Sequence, residues 1–148
     1  MVEKEKTPES TVRVTVQRNN THGETIVLFS PDMDFCMSLR LLYQEKYEIV
    51  TTTDPEMILD LVASFHPDLV ILDAFPTNPM RRRFKEIKKE YPAAQIMVFY
   101  ASQFNDRGVR EVLRTSVDAA FSKPIDLNEV TERIYGLITG DRGCEVRS

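Results

Sequence analysis

Three short segments carry the side chains that could do chemistry. PDLVILD, residues 67–73, runs an apolar stretch into a single carboxylate, Asp73. SKPID, residues 122–126, sets an ammonium, Lys123, directly before Pro124. IVLFSPDMDF, residues 26–35, breaks an apolar run at Ser30-Pro31 and follows it with Asp32 and Asp34. A carboxylate and an ammonium brought into one half-buried pocket favour each other's charged form. Spacing alone leaves Asp73 and Lys123 open between a functional site and a plain ion pair, and plain ion pairs are common.

Composition narrows the classes of function. The chain has 148 residues, enough for one domain with a tail. Its net charge of −4 does not suggest a nucleic-acid binder. The two cysteines, Cys36 and Cys144, imply no disulfide framework, and a reducing cytoplasm fits them. With only His22 and His66 available, no Cys/His zinc spacing exists. The start, MVEKEKTPES, lacks the apolar core of a signal peptide, and the apolar runs are too short to span a bilayer.

Those segments must be positioned by regular elements. Residues 1–23 read as an N-terminal tail. Within it TVRVTVQR, 11–18, alternates with Val12, Val14 and Val16 on one face, so it is either a frayed segment, the commoner outcome, or an added edge strand or partner-binding strand. From Glu24 to Thr139, short apolar runs alternate with amphipathic helices. Strands are expected over 25–30, 47–52, 67–73, 95–100 and 118–122. The first helix runs to about Lys46, with Phe35, Leu39 and Leu42 inward beside Cys36 and Tyr43. The second is capped by Thr53, with Glu56 reaching back and Pro55 in its first turn, and carries Met57, Ile58, Leu61, Val62 and Phe65. The third, 79–91, buries Met80, Phe84, Ile87 and Tyr91. The fourth, 105–116, turns Val109, Val112 and Leu113 inward. The last opens with a capping box at 126–129, buries Leu127, Val130, Ile134 and Ile138, and stops at Gly140. Residues 140–148 form a C-terminal tail. Five β-α units with right-handed crossovers give one parallel sheet covered on both faces, with any site beyond the carboxyl ends of the strands.

PDLVILD, followed about fifty residues later by FSKPID on five such units, resembles the receiver domain of two-component response regulators. The likeness spans residues 24–139. It implies an α/β, doubly wound, flavodoxin-like fold with five parallel strands in the order 2-1-3-4-5. It implies that Asp73 stands at the phosphoacceptor position and Lys123 at the phosphate-contacting position, with a cis Lys123–Pro124 bond.

The same likeness exposes departures. Receivers end the first strand in two adjacent acids that hold magnesium. Here Ser30 and Pro31 stand at those positions, and Asp32 falls one step later. Magnesium requires carboxylate oxygens at short, near-octahedral distances, which a hydroxyl and a proline side chain do not supply. Without it, charge on a transferring phosphoryl group goes uncompensated. Ser30 as N-cap and Pro31 as first helical residue account for the pair as a helix start. The alternative is that Asp32 and Asp34 shift register and rebuild a weaker magnesium site, with Asp73 and the Phe75 carbonyl as the other candidate ligands. The switch position, Ser or Thr in receivers, is Tyr100, with Ser102 two residues on. The family's proline four residues after the acceptor is absent, with Pro76 at three and Pro79 at six.

The function expected is a stand-alone, atypical, non-enzymatic receiver: a cytoplasmic protein-interaction module without standard magnesium-dependent phosphorylation. No cofactor is expected beyond weakly held magnesium. Only about ten residues follow Ile138, too few for a DNA-binding effector. The partner class is a signalling protein, a histidine kinase or an effector, with a homodimer as a further option and neither nucleic acid nor membrane. The alternative is a working regulator phosphorylated on Asp73 through a non-standard metal site. A third reading takes Asp32-Met33-Asp34 as the D-x-D of a haloacid-dehalogenase-type phosphatase. That reading places Ser30-Pro31 between the nucleophile and the strand end it should occupy. Finally, RRRFKEIKKE, 81–90, is either a solvated helix face or a basic surface that steers an acidic partner or polyphosphate.

Overall fold

The computed structural model describes residues 14–17, 23–101 and 107–140. The expectations for residues 1–13, 18–22, 102–106 and 141–148, and with them His22, Ser102 and Cys144, lie outside the described residues. The elements in chain order are β1 (Val14–Gln17), β2 (Thr25–Phe29), α1 (Met33–Tyr43), β3 (Glu48–Thr52), α2 (Ile58–Phe65), β4 (Leu69–Asp73), α3 (Asn78–Glu90), β5 (Gln95–Ala101), α4 (Arg107–Ser116), β6 (Ala119–Lys123) and α5 (Leu127–Thr139). They form one sheet in the order β1-β3-β2-β4-β5-β6. Strands β2 to β6 are mutually parallel where they pair, in the expected 2-1-3-4-5 arrangement.

The strands are buried because both sheet faces are covered. Alternation sends Val27, Phe29, Val50, Val70, Leu72, Ile96 and Val98 to one side, where they meet Ile58 and Val62 of α2, Phe84 and Ile87 of α3, and Leu113 of α4. The intervening Ile26, Leu28, Ile49, Leu69, Ile71, Met97 and Phe99 meet Cys36 and Leu39 of α1 and Val130 and Ile134 of α5. Two-sided burial is why the runs are near-continuously apolar. At roughly 1.5–3 kcal/mol per fully buried aliphatic side chain, these two layers dominate the stabilisation.

Several local expectations are corrected. The N-terminal alternation does not fray over Val14–Gln17: it pairs antiparallel with β3, Val14 opposite Thr52 and Gln17 opposite Ile49. An edge that would otherwise present unpaired amides is thereby covered. Helix α1 begins at Met33, not at Pro31, because Asp32 is its N-cap, its carboxylate accepting from the amides of Asp34 and Phe35. It ends at Tyr43 and buries Cys36, Leu39 and Tyr43, while Leu42 is exposed. Asp54, not Thr53, caps the next turn, a short 3-10 segment over Pro55–Met57 that leads into α2. In α5 the inward row is Val130, Ile134 and Leu137, and Leu127 is exposed. The first two helix starts follow from where the cap falls, whereas α5 keeps the expected Asp126 cap and turns Leu137 rather than Leu127 inward.

Candidate functional site

The register assembles the strand-end residues. Phe29 pairs with Leu72, so Ser30 extends β2 to the level of Asp73 on the neighbouring strand. Ser30 continues the strand because its amide donates to the Thr52 carbonyl at 3.2 Å. Asp73 pairs with Phe99, and Phe99 with Phe121, so Lys123 lies one rung pair further out, two strands away. A lysine stem covers that gap. Its Nζ reaches Asp73 Oδ1 at 2.7 Å and passes 5.4 Å from the Phe35 ring centroid. Ser30 Oγ donates to the other oxygen, Asp73 Oδ2, also at 2.7 Å. The same hydroxyl accepts from the Asp32 amide at 3.0 Å, which holds its rotor in place.

Asp73 is therefore a buried carboxylate with each oxygen engaged. Its side chain is 7% exposed, against 40% for Lys123. An unpaired charge at that depth is strongly disfavoured; an ammonium and a short hydroxyl bond offset the cost. Beneath the pair sits Cys36, whose thiol lies 3.7 Å from the Ser30 carbonyl oxygen and 3.8 Å from that of Thr52. Burial, reinforced by the charges of Asp73 and Asp32, pushes this thiol up to about 11. It is an inert packing group rather than a nucleophile.

The other expected residues are placed elsewhere. Pro31 is exposed and lies ahead of the α1 cap. Asp32 spends one carboxylate oxygen on that cap. The Phe75 carbonyl accepts from the Thr77 amide at 2.8 Å, within the turn leading to α3. Tyr100 is inward: it follows Val98 in the alternation and is buried in the layer formed by α2, α3 and α4. Asp73, Ser30 and Lys123 follow Ile71, Leu28 and Phe121 on the opposite face. The Lys123–Pro124 bond is cis.

Both Asp73 oxygens are engaged, by Lys123 and by Ser30, and among the described residues no group of three Asp, Glu, His or Cys side chains could hold a metal ion. The Ser30 contact is what sequence reasoning missed. Its signal was present: Ser30 ends a strand that must neighbour the Asp73 strand in a 2-1-3-4-5 sheet.

No protein-family model matches the sequence, and no curated protein matches it. Solved structures do resemble it. A response regulator from Thermotoga maritima superposes with a TM-score of 0.68 at 15% identity, over 78% of this chain and 98% of that one. A CheY-like receiver domain protein from Methanospirillum hungatei JF-1 gives 0.69 at 15%, over 79% and 94%. The signal receiver domain of an HD domain-containing protein from Pseudomonas fluorescens Pf-5 gives 0.67 at 20%, over 79% and 95%. The fold is thus the flavodoxin-like fold of response-regulator receivers. Among the described residues no helix is long and apolar enough to cross a membrane.

Proposed function

We propose that this chain is a receiver-type signalling module that works by presenting a surface to a protein partner. In this reading Asp73 is held by the chain's own side chains instead of cycling through magnesium-dependent phosphorylation. The observation that carries it is the 2.7 Å bond from Ser30 Oγ to Asp73 Oδ2. In receivers the corresponding strand end supplies acids that bring a dication to the acceptor. Here it supplies a neutral donor that engages the acceptor directly. An acyl phosphate on Asp73 would add negative charge to a pocket in which Lys123 is the paired cation. A state set by internal contacts needs no ligand to shift its population. The partner is a signalling protein, a histidine kinase or an effector, and the chain itself performs no catalysis.

A second reading keeps Asp73 as a phosphoacceptor served by a non-standard metal site. What favours it is the 2.7 Å pair of Asp73 with Lys123, the two receiver positions this chain retains. In that case Asp73 attacks the phosphorus of a small donor such as acetyl phosphate, the P–O bond to the acyl group breaks and acetate leaves. Intact mass after incubation with acetyl phosphate and magnesium separates the two. The leading reading expects no added phosphoryl group. A group that is gained by the native chain and lost in Asp73→Asn would install the second reading in its place.

A further inference from the structure

We propose that the outer face of α3, centred on Arg82, is the docking surface for an acidic peptide segment of a partner protein, with apolar residues between its carboxylates. The proposal rests on the reading of the chain as an interaction module and supplies the partner's chemistry. Two depressions share Arg82. One, of about 320 Å³, is lined by Leu59, Pro79, Arg82, Arg83 and Glu86. The other, of about 140 Å³, is lined by Asn78, Arg81, Arg82 and Lys85.

The cations along this helix divide into two groups. Lys88 is tied to Asp118 at 2.8 Å, and Arg83 meets Glu56 at 3.4 Å. Arg82, Lys85 and Lys89 are exposed and form no ion pair among the described residues. They recur at positions three and four apart, so they line one side of the helix. Arg81 donates to the Asn78 side-chain oxygen at 3.3 Å. The imbalance is a property of the whole chain. Helices α3 and α4 together hold nine lysines and arginines against three glutamates, net +6; with −4 overall, the remainder of the chain carries −10. A positive surface on an acidic protein steers anionic partners and rejects most others.

The lining selects among anions. Leu59 and Pro79 give the larger depression an apolar floor, which a polyphosphate cannot use. Glu86 stands in the same lining and would oppose an unbroken row of phosphates. Neither depression has an aromatic side chain on which a base could stack. A peptide in which acidic and apolar residues interchange satisfies both the guanidinium groups and the floor.

The test titrates the full chain with a short fluorescein-labelled Glu/Leu peptide, read by anisotropy. A Gln/Leu peptide of the same spacing and a labelled single-stranded oligonucleotide serve as comparators. The expected result is saturable binding of the Glu/Leu peptide that weakens with salt. It should fall by about tenfold or more in R82E/K85E and by about threefold in Leu59→Ser, with circular dichroism unchanged. Tighter binding of the oligonucleotide, equal binding of the Gln/Leu peptide, or equal binding by R82E/K85E would overturn the proposal. So would self-association abolished by R82E/K85E in sedimentation, which would assign the face to a second copy of the chain. The titration does not depend on Asp73. A failed titration with Asp73 unphosphorylated removes the surface alone, and a phosphorylated Asp73 with intact peptide binding removes only the reading of the strand-end site.

Discussion

Lys123 and Arg82 are both cations of one small domain, and the fold treats them in opposite ways. Lys123 closes on Asp73 at 2.7 Å, over the Phe35 ring, at the carboxyl ends of the strands. Arg82 stands exposed between two depressions with no ion pair among the described residues. Charge at the strand ends is matched within the chain, so it contributes to stability and has little capacity left for a ligand. The charges of Arg82, Lys85 and Lys89 on α3 are unmatched among the described residues, so they contribute little to stability and, in the proposed reading, attract a partner. In a phosphorylated receiver the strand-end site would be the responsive region. Under the proposed function, responsiveness lies on the helix face instead.

The contrast can be broken most sharply at Lys123. Replacing it by Met leaves the Asp73 carboxylate buried without a counter-charge, and urea unfolding should show a loss of about 3 kcal/mol. Adding Asp73→Asn to that variant should recover much of the loss, because the uncompensated charge is removed. A variant that lost under about 0.5 kcal/mol would mean the pair is no more than a surface ion pair.

The depth of the same site is tested by pH. A thiol is neutral when protonated, and the Cys36 pKa rises from 9.0 to about 11 on folding. Below pH 9 both states hold the proton and the stability is fully present. As pH rises towards 11 the unfolded chain ionises first, so stability falls, by about 2 kcal/mol for a shift of that size. Tyr43 and Tyr47, both raised chiefly by burial, add a decline above their ordinary range near 10.0. Unfolding curves from pH 8 to 11 should therefore be shallower in Cys36→Ala by the thiol's share. Identical slopes would place the thiol in contact with water.

Smaller again is Ser30→Ala, which deletes the buried donor to Asp73 and should cost about 1–2 kcal/mol. The smallest effect belongs to the other region. Arg82→Glu should change stability by less than about 0.5 kcal/mol, since among the described residues that guanidinium forms no ion pair. A loss of 2 kcal/mol there would show that α3 uses its charge internally and would erase the contrast.

Much of this arrangement was legible before folding. The five strands announced themselves because two-sided burial demands unbroken apolar runs, as in LVILD, and Asp73 and Lys123 were identifiable as strand-end residues. The caps were harder. Ser30, Asp32 and Asp34 are all good cap residues within five positions, and the bond of the Ser30 amide to Thr52 decides that Ser30 prolongs the line of β2 and leaves the cap to Asp32. Leu42 and Leu127 fit an apolar stripe on paper, yet the inward rows are Cys36, Leu39 and Tyr43 in α1 and Val130, Ile134 and Leu137 in α5, which leaves both leucines in solvent. The edge strand at Val14–Gln17 depends on a partner, β3, that local alternation does not reveal. The unmatched charge of α3 was visible as RRRFKEIKKE, but which cations are tied down required the positions of Glu56 and Asp118.

The central claim is that the chain's own side chains hold Asp73 in place of a magnesium-assisted phosphoryl cycle. Its most direct test is the intact mass of the native chain after incubation with acetyl phosphate and magnesium, beside Asp73→Asn treated identically. The account predicts an unchanged mass for both. A phosphoryl increment on the native chain that is missing from Asp73→Asn would contradict it.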